Sequence, residues 1–69
     1  MQMLDQSLLK GIDPSNPEDR VRLRVRLAYT YRYAKLDALN TLVVELGGKP
    51  HRTRLGAIRQ LADFYLGGI

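Results

Sequence analysis

The chain has 69 residues and no cysteine, so it can form one small domain but has neither a disulfide nor a thiolate metal site to stabilise it. No apolar run approaches the roughly 18 residues of a transmembrane helix, and no signal-peptide pattern begins the chain, which predicts a cytoplasmic protein with no membrane partner. Residues 1–19 carry one basic against four acidic side chains, a net charge of −3, and residues 20–69 carry ten against three, a net charge of +7. A basic domain behind an acidic arm indicates a polyanionic partner.

Residues 1–19 are predicted to form an acidic N-terminal arm that is either flexible or partly helical. Residues 1–11 are weakly amphipathic and could form a helical turn or two that ends at Gly11. Two prolines within residues 12–19 indicate a turn or linker. The segment 15–19 also has the residue order of a helix start, with an N-cap, a proline and then two acids.

Residues 20–33 alternate between apolar and polar side chains with a period of two, which is typical of a strand with one buried face. The apolar positions are Val21, Leu23, Val25, Leu27, Tyr29, Tyr31 and Tyr33. The other positions are Arg20, Arg22, Arg24, Arg26, Ala28, Thr30 and Arg32. Such a row of guanidinium groups repels itself unless it meets phosphates or guanine edges, both of which arginine binds in a fork.

Three alternatives to this interpretation stay open. A single helix could run from Asn16 to Leu46, although helical spacing would point Arg20 and Arg24 away from Arg22 and Arg26 and leave no clean apolar stripe. The arginines could merely protect a strand edge from aggregation. The three tyrosines could stack on single-stranded bases instead of packing in a core.

Two helices are predicted after the strand. Leucines and valines at spacings of three and four between Leu36 and Leu46 indicate the first helix, which Gly47 and Gly48 end. After a basic turn, the second helix runs from Thr53 or Pro50 to about Leu66.

A lone strand would leave its backbone N–H and C=O groups unpaired on two edges. A second copy of the chain would pair one edge of each strand, which predicts a homodimer with a two-stranded antiparallel ribbon and a shared helical core. The predicted dimer core comprises Val21, Leu23, Val25, Leu27, Tyr29, Tyr31, Leu36, Leu39, Leu42, Val43, Leu46, Leu55, Ile58, Leu61, Ala62 and Tyr65.

The chain resembles the ribbon-helix-helix family of DNA-binding proteins. The features that carry the resemblance are the alternating strand, the apolar positions from Leu36 to Leu46, Gly47, and Ile58 within the segment 55–62. The resemblance covers about residues 22–66 and makes residues 20–69 a DNA-binding and dimerisation domain. It implies an α+β fold that is mostly helical, with one strand and two helices per chain in an intertwined homodimer. The implied function is sequence-specific binding of duplex DNA, in transcriptional repression or in plasmid or phage DNA processing.

The resemblance also implies which residues contact DNA. The ribbon would enter the major groove, and the start of the second helix would lie on the phosphate backbone. The implied base contacts are Arg22, Arg24, Arg26, Ala28 and Thr30, with the ribbon at either 20–27 or 26–31. The implied phosphate contacts are Lys49, His51, Arg52, Thr53 and Arg54, next to a helix N-terminus that attracts anions.

Enzyme chemistry has no support in the sequence. No nucleophile with a neighbouring base, no cluster of metal ligands and no phosphate-binding glycine loop is evident, and the single histidine, His51, lies in the basic turn. We therefore predict no catalytic residue, metal or cofactor. The alternative functions are an all-helical dimeric protein that acts through protein contacts, and a binder of single-stranded nucleic acid.

Overall fold

The computed structural model describes residues 6–67, which form three α-helices and one short 3-10 turn. The 3-10 turn spans Gln6–Leu9, and the helices are α1 (Pro17–Thr30), α2 (Leu36–Glu45) and α3 (Arg54–Tyr65). Helix α3 packs against both of the other helices and supplies six of the ten fully buried apolar side chains. The core therefore lies along the inner face of α3.

The predicted strand is wrong: residues 20–30 belong to α1, and no strand is present among residues 6–67. The α+β class, the ribbon and the intertwined ribbon dimer are wrong with it. The helix start decides the conformation, because the Asn16 side chain accepts a 2.9 Å hydrogen bond from the N–H of Glu18 and Pro17 occupies the first turn. Glu18 and Asp19 add negative charge where the helix dipole favours it.

Helical spacing also changes which apolar side chains are buried. Leu23 and Leu27 lie four residues apart on one face of α1 and are fully buried. Val21 and Val25, which a strand would place on the same buried face, instead point outward. Of the seven alternating apolar positions, two are therefore buried in the core and a third, Tyr31, packs against it.

The single long helix from Asn16 to Leu46 does not form either, because the chain turns between α1 and α2. The N–H of Ala34 donates to the carbonyl of Tyr31 over 3.0 Å, which closes this turn. The guanidinium of Arg54, at the start of α3, donates to the carbonyl oxygens of both Tyr31 and Ala34. The first turn of α3 thus holds the end of α1 in place.

A helical segment does not need a second copy of the chain to satisfy its backbone N–H and C=O groups, since helices pair their own backbone groups. Homodimerisation stays a prediction without that support. Eight of the sixteen side chains predicted for the dimer core are already buried within the single chain: Leu23, Leu27, Leu39, Val43, Ile58, Leu61, Ala62 and Tyr65. Four more are half-buried, namely Tyr31, Leu36, Leu42 and Leu46, and four are exposed, namely Val21, Val25, Tyr29 and Leu55.

Helices α2 and α3 occupy the segments in which the sequence predicts helices. Gly47 follows α2 with a φ of 101°, a left-handed conformation that glycine adopts without strain. Thr53 caps α3, because its hydroxyl oxygen accepts a 3.1 Å hydrogen bond from the N–H of Gly56. Two core side chains of α3, Ala57 and Phe64, are absent from the predicted core.

The described part of the N-terminal arm is folded onto the helices. Leu8, Leu9 and Ile12 pack against the core, and the Arg26 guanidinium donates to the carbonyl oxygens of Leu8 and Lys10 over 2.9 and 2.7 Å. Helix α1 crosses the predicted boundary between residues 19 and 20. Residues 1–5 of the predicted arm lie outside the described residues. None of the helices in the segment 6–67 is long and apolar enough to span a membrane.

Candidate functional site

The arginines predicted to form one groove-facing row are dispersed around α1. Arg22 forms a 3.7 Å ion pair with Asp19 on the exposed side, whereas Arg26 faces the N-terminal segment described above. Arg24 is half-buried and points along the side of α1 that meets α3. Ala28 and Thr30, the remaining predicted base contacts, are exposed near the end of the helix. The helix therefore forms no row of arginines.

The predicted phosphate contacts divide into side chains that hold the loop before α3 and side chains that point into solvent. Asn40 on α2 fixes His51, since its side-chain oxygen accepts the His51 N–H over 2.9 Å and its amide donates to the His51 carbonyl over 2.8 Å. Arg54 and Thr53 have the structural roles described above. Lys49 and Arg52 are exposed, and neither forms a hydrogen bond or ion pair with another side chain among residues 6–67.

An apolar groove lies between α1 and α3. Its volume is ≈ 440 Å³. Val25 is 63% exposed on α1, and Leu55 is 67% exposed on α3. The groove is lined by Val21, Arg24, Val25, Ala28, Arg54, Leu55 and Ile58.

The apolar wall of this groove follows from the helical periodicity of α1. Val21, Val25 and Tyr29 are spaced by four residues, so they form a stripe on the side opposite to the buried Leu23 and Leu27. Helix α1 thus has two apolar faces, and residues 6–67 cover only one of them. Because a solvent-exposed helix face is normally polar, the second apolar stripe is a candidate contact surface.

The stripe ends in an exposed group of aromatic and basic side chains. The Arg32 guanidinium lies 4.1 Å from the ring centroid of Tyr29 and 4.6 Å from that of Tyr33. These distances are within the range of cation–π attraction. Because Tyr29 is four residues after Val25, it extends the apolar stripe toward the end of α1.

Charge is distributed asymmetrically around the groove. Helix α1 carries four arginines against two acids and α3 two arginines against one acid, which gives net charges of +2 and +1. Helix α2, away from the groove, carries two acids and no base, a net charge of −2. Two of the seven residues that line the groove are arginines, and none is acidic.

Among residues 6–67, Arg24 has a buried polar atom without a hydrogen-bond partner. Its Nε atom is buried and has no hydrogen-bond partner. The residue also lines a second, more polar depression formed by Pro14, Arg20, Asp63 and Leu66. Arg24 therefore lies between an apolar groove and a polar one.

The described side chains contain no group of three or more histidine and acidic residues that could hold a metal ion. The groove presents apolar side chains and positive charge. No protein-family model matches the chain, and no curated protein or solved structure does so either. The groove was not predicted, because Val21, Val25 and Leu55 were expected in a core, although the spacing of Val21, Val25 and Tyr29 by four could have revealed it.

Proposed function

We propose that this chain is a small helical protein-interaction module that binds an amphipathic helix of a partner protein in the groove between α1 and α3. The observation that carries the proposal is the second apolar stripe of α1, which faces solvent and continues onto Leu55 of α3. An amphipathic helix buries its apolar face in such a groove through side chains spaced by three and four residues. A bound helix would complete a four-helix packing around α1 and α3.

The size of the exposed stripe suits a moderate, reversible interaction. Complete burial of a valine or leucine side chain contributes about 1.5–3 kcal/mol, and Val21, Val25 and Leu55 are already partly covered. The gain from these side chains must also exceed the cost of association, so micromolar rather than nanomolar affinity is expected. The charged rim would then determine which helices bind.

The substitution Val25→Glu tests the groove directly. It places a charge in the middle of the apolar wall, and we expect it to weaken binding of helical peptides by about tenfold or more. The probe is a set of peptides of about 18 residues with leucines at i, i+3, i+4 and i+7, measured by fluorescence anisotropy with the full chain. Because position 25 is exposed and glutamate has a higher helix propensity than valine, the variant should fold.

Val44→Glu is the matched control. Val44 is a valine of similar exposure, 51%, on α2, and it does not line the groove. The Val44→Glu variant should bind the same peptides with the affinity of the unsubstituted chain. If no peptide binds, or if the two variants bind equally well, the groove is not a helix-binding site.

Duplex DNA binding is a second candidate function, and the net charge of +7 on residues 20–69 favours it. Among the predicted phosphate contacts, Lys49 and Arg52 are the two whose exposed, charged side chains form no hydrogen bond or ion pair within residues 6–67. The double substitution Lys49→Ala and Arg52→Ala should lower affinity for a duplex oligonucleotide and reduce the slope of log affinity against log salt by about 2. Titrations at several salt concentrations measure this slope, with a single-stranded oligonucleotide of the same sequence for comparison. An unchanged slope would exclude these two cations as phosphate contacts.

A further inference from the structure

We infer that the groove selects an acidic helix, and that Arg24 is the residue that recognises a carboxylate on it. This inference rests on the proposed function and specifies the chemistry of the partner. The observation is the position of Arg24, a half-buried arginine at the edge of an apolar groove whose guanidinium forms no hydrogen bond or ion pair among residues 6–67. A carboxylate that entered with an apolar helix could accept hydrogen bonds from the accessible end of this guanidinium.

The surroundings of Arg24 leave this position open to a carboxylate from outside. Asp63 lines the same depression, yet no ion pair joins it to an arginine among the residues 6–67. Arg20, the other cation there, donates from its Nε atom to the carbonyl of Pro14 over 2.7 Å. An isolated arginine beside an apolar surface is a common anchor in protein interfaces, because its stem packs against apolar atoms while its fork binds an acid.

The charges around the groove favour an acidic partner over a second copy of the chain. A symmetric dimer through this face would bring two surfaces together that each carry α1 and α3, with net charges of +2 and +1. Like charges across an interface oppose association, whereas an acidic helix would be attracted. An acidic helix would also provide a carboxylate for the Arg24 guanidinium, which is unpaired among residues 6–67.

A peptide comparison tests the selectivity. Three sets of peptides share the leucine spacing described above and carry glutamate, glutamine or lysine at the positions that flank the leucines. We expect the glutamate peptides to bind at least about tenfold more tightly than the lysine peptides at physiological salt, with glutamine peptides between them.

Substitution of the arginine then locates the recognition. Arg24→Met keeps most of the apolar stem and removes the unpaired donor, so the fold should be at least as stable in thermal unfolding. We expect a loss of about tenfold in affinity for the glutamate peptides and a change of less than about twofold for the glutamine peptides. Arg22→Met is the control on the same helix, because Arg22 is paired with Asp19 and does not line the groove. Its effect on the glutamate peptides should be below about twofold. Asp63→Asn should increase the affinity for the glutamate peptides, because it removes a negative charge from the depression that Arg24 also lines.

The outcomes separate the inference from the proposed function. If peptides bind in a manner sensitive to Val25→Glu but show no preference for glutamate, or if Arg24→Met binds the glutamate peptides normally, the inference about the acidic partner is wrong and the helix-binding groove remains. If no peptide set shows binding that Val25→Glu weakens, both the inference about the acidic partner and the helix-binding groove are wrong. Sedimentation of the chain alone tests the other occupant: a dimer that Val25→Glu dissociates would assign the groove to a second copy and overturn the inference.

Discussion

Leu23→Ala is expected to lower the free energy of unfolding by about 3 kcal/mol, because Leu23 is completely buried between α1 and the rest of the core. Removal of a buried leucine side chain costs its transfer from water and leaves a cavity that the neighbours fill only in part. A domain of 69 residues is stabilised by roughly 3–10 kcal/mol in total, so this loss is a large share. Urea denaturation followed by circular dichroism measures it.

Val25→Ala is the control, and it separates the helix from the strand that the sequence pattern favours. In α1 the side chain of Val25 is 63% exposed, so its truncation should change the free energy of unfolding by less than about 0.5 kcal/mol. In a strand with period two, Leu23 and Val25 would share the buried face and both truncations would be costly. Leu23→Met, which nearly conserves volume, should cost less than about 1.5 kcal/mol and provides a folded variant if Leu23→Ala unfolds. Similar losses at both positions would contradict the helical fold.

The alternation in residues 20–33 was misleading because it satisfies two periods at once. Leu23 and Leu27 differ by four residues, as do Val21 and Val25, so a strand pattern with every second residue apolar also contains two helical stripes. The deciding information lay outside the repeat, in the capping sequence that begins at Asn16. A local start signal with a specific hydrogen bond outweighed the β propensity of valine and tyrosine.

The helices α2 and α3 could be predicted because each has one apolar stripe and an unambiguous end. Gly47 and Thr53 mark the loop between them, and both have the conformations that their residue types favour. The roles of Arg26 and Arg54 could not be predicted, since each donates to backbone carbonyls that are distant in the sequence. Sequence distinguishes an arginine from an apolar residue, but not an arginine that closes a fold from one that binds a ligand.

The same limit applies to the candidate site. The positive charge of residues 20–69 is evident in the sequence, but its meaning depends on where the side chains lie. Once α1 is helical, Arg24 points to a different side of the helix from Arg22 and Arg26, so the three arginines no longer share one surface. The apolar stripe that replaces them is the reason to favour a protein partner over a phosphate backbone.

Gly48→Ala is expected to destabilise the fold by about 2 kcal/mol through overpacking. A Cβ atom at position 48 would lie 2.7 Å from a Cγ atom of Val43 and 3.2 Å from two ring carbons of Phe64. Val43 is fully buried and its branched side chain has little rotamer freedom, so it cannot move aside at low cost. Differential scanning calorimetry and urea denaturation measure the loss.

The double substitution Gly48→Ala with Val43→Ala shows whether steric overlap is the cause. Val43→Ala alone should cost about 2 kcal/mol through a cavity, and it removes the atom that the new methyl group would meet. The added methyl group would occupy part of that cavity, so the double variant should be more stable than the sum of the two single losses by about 1–2 kcal/mol. Additive losses would mean that overlap with Val43 is not the cause of the loss, and would point to the ring of Phe64, the other group that the added methyl group would meet. A positive coupling would establish that α2 and α3 approach each other here as closely as the residue types allow, so that the loop carrying Lys49 and His51 is fixed by packing at its first residues.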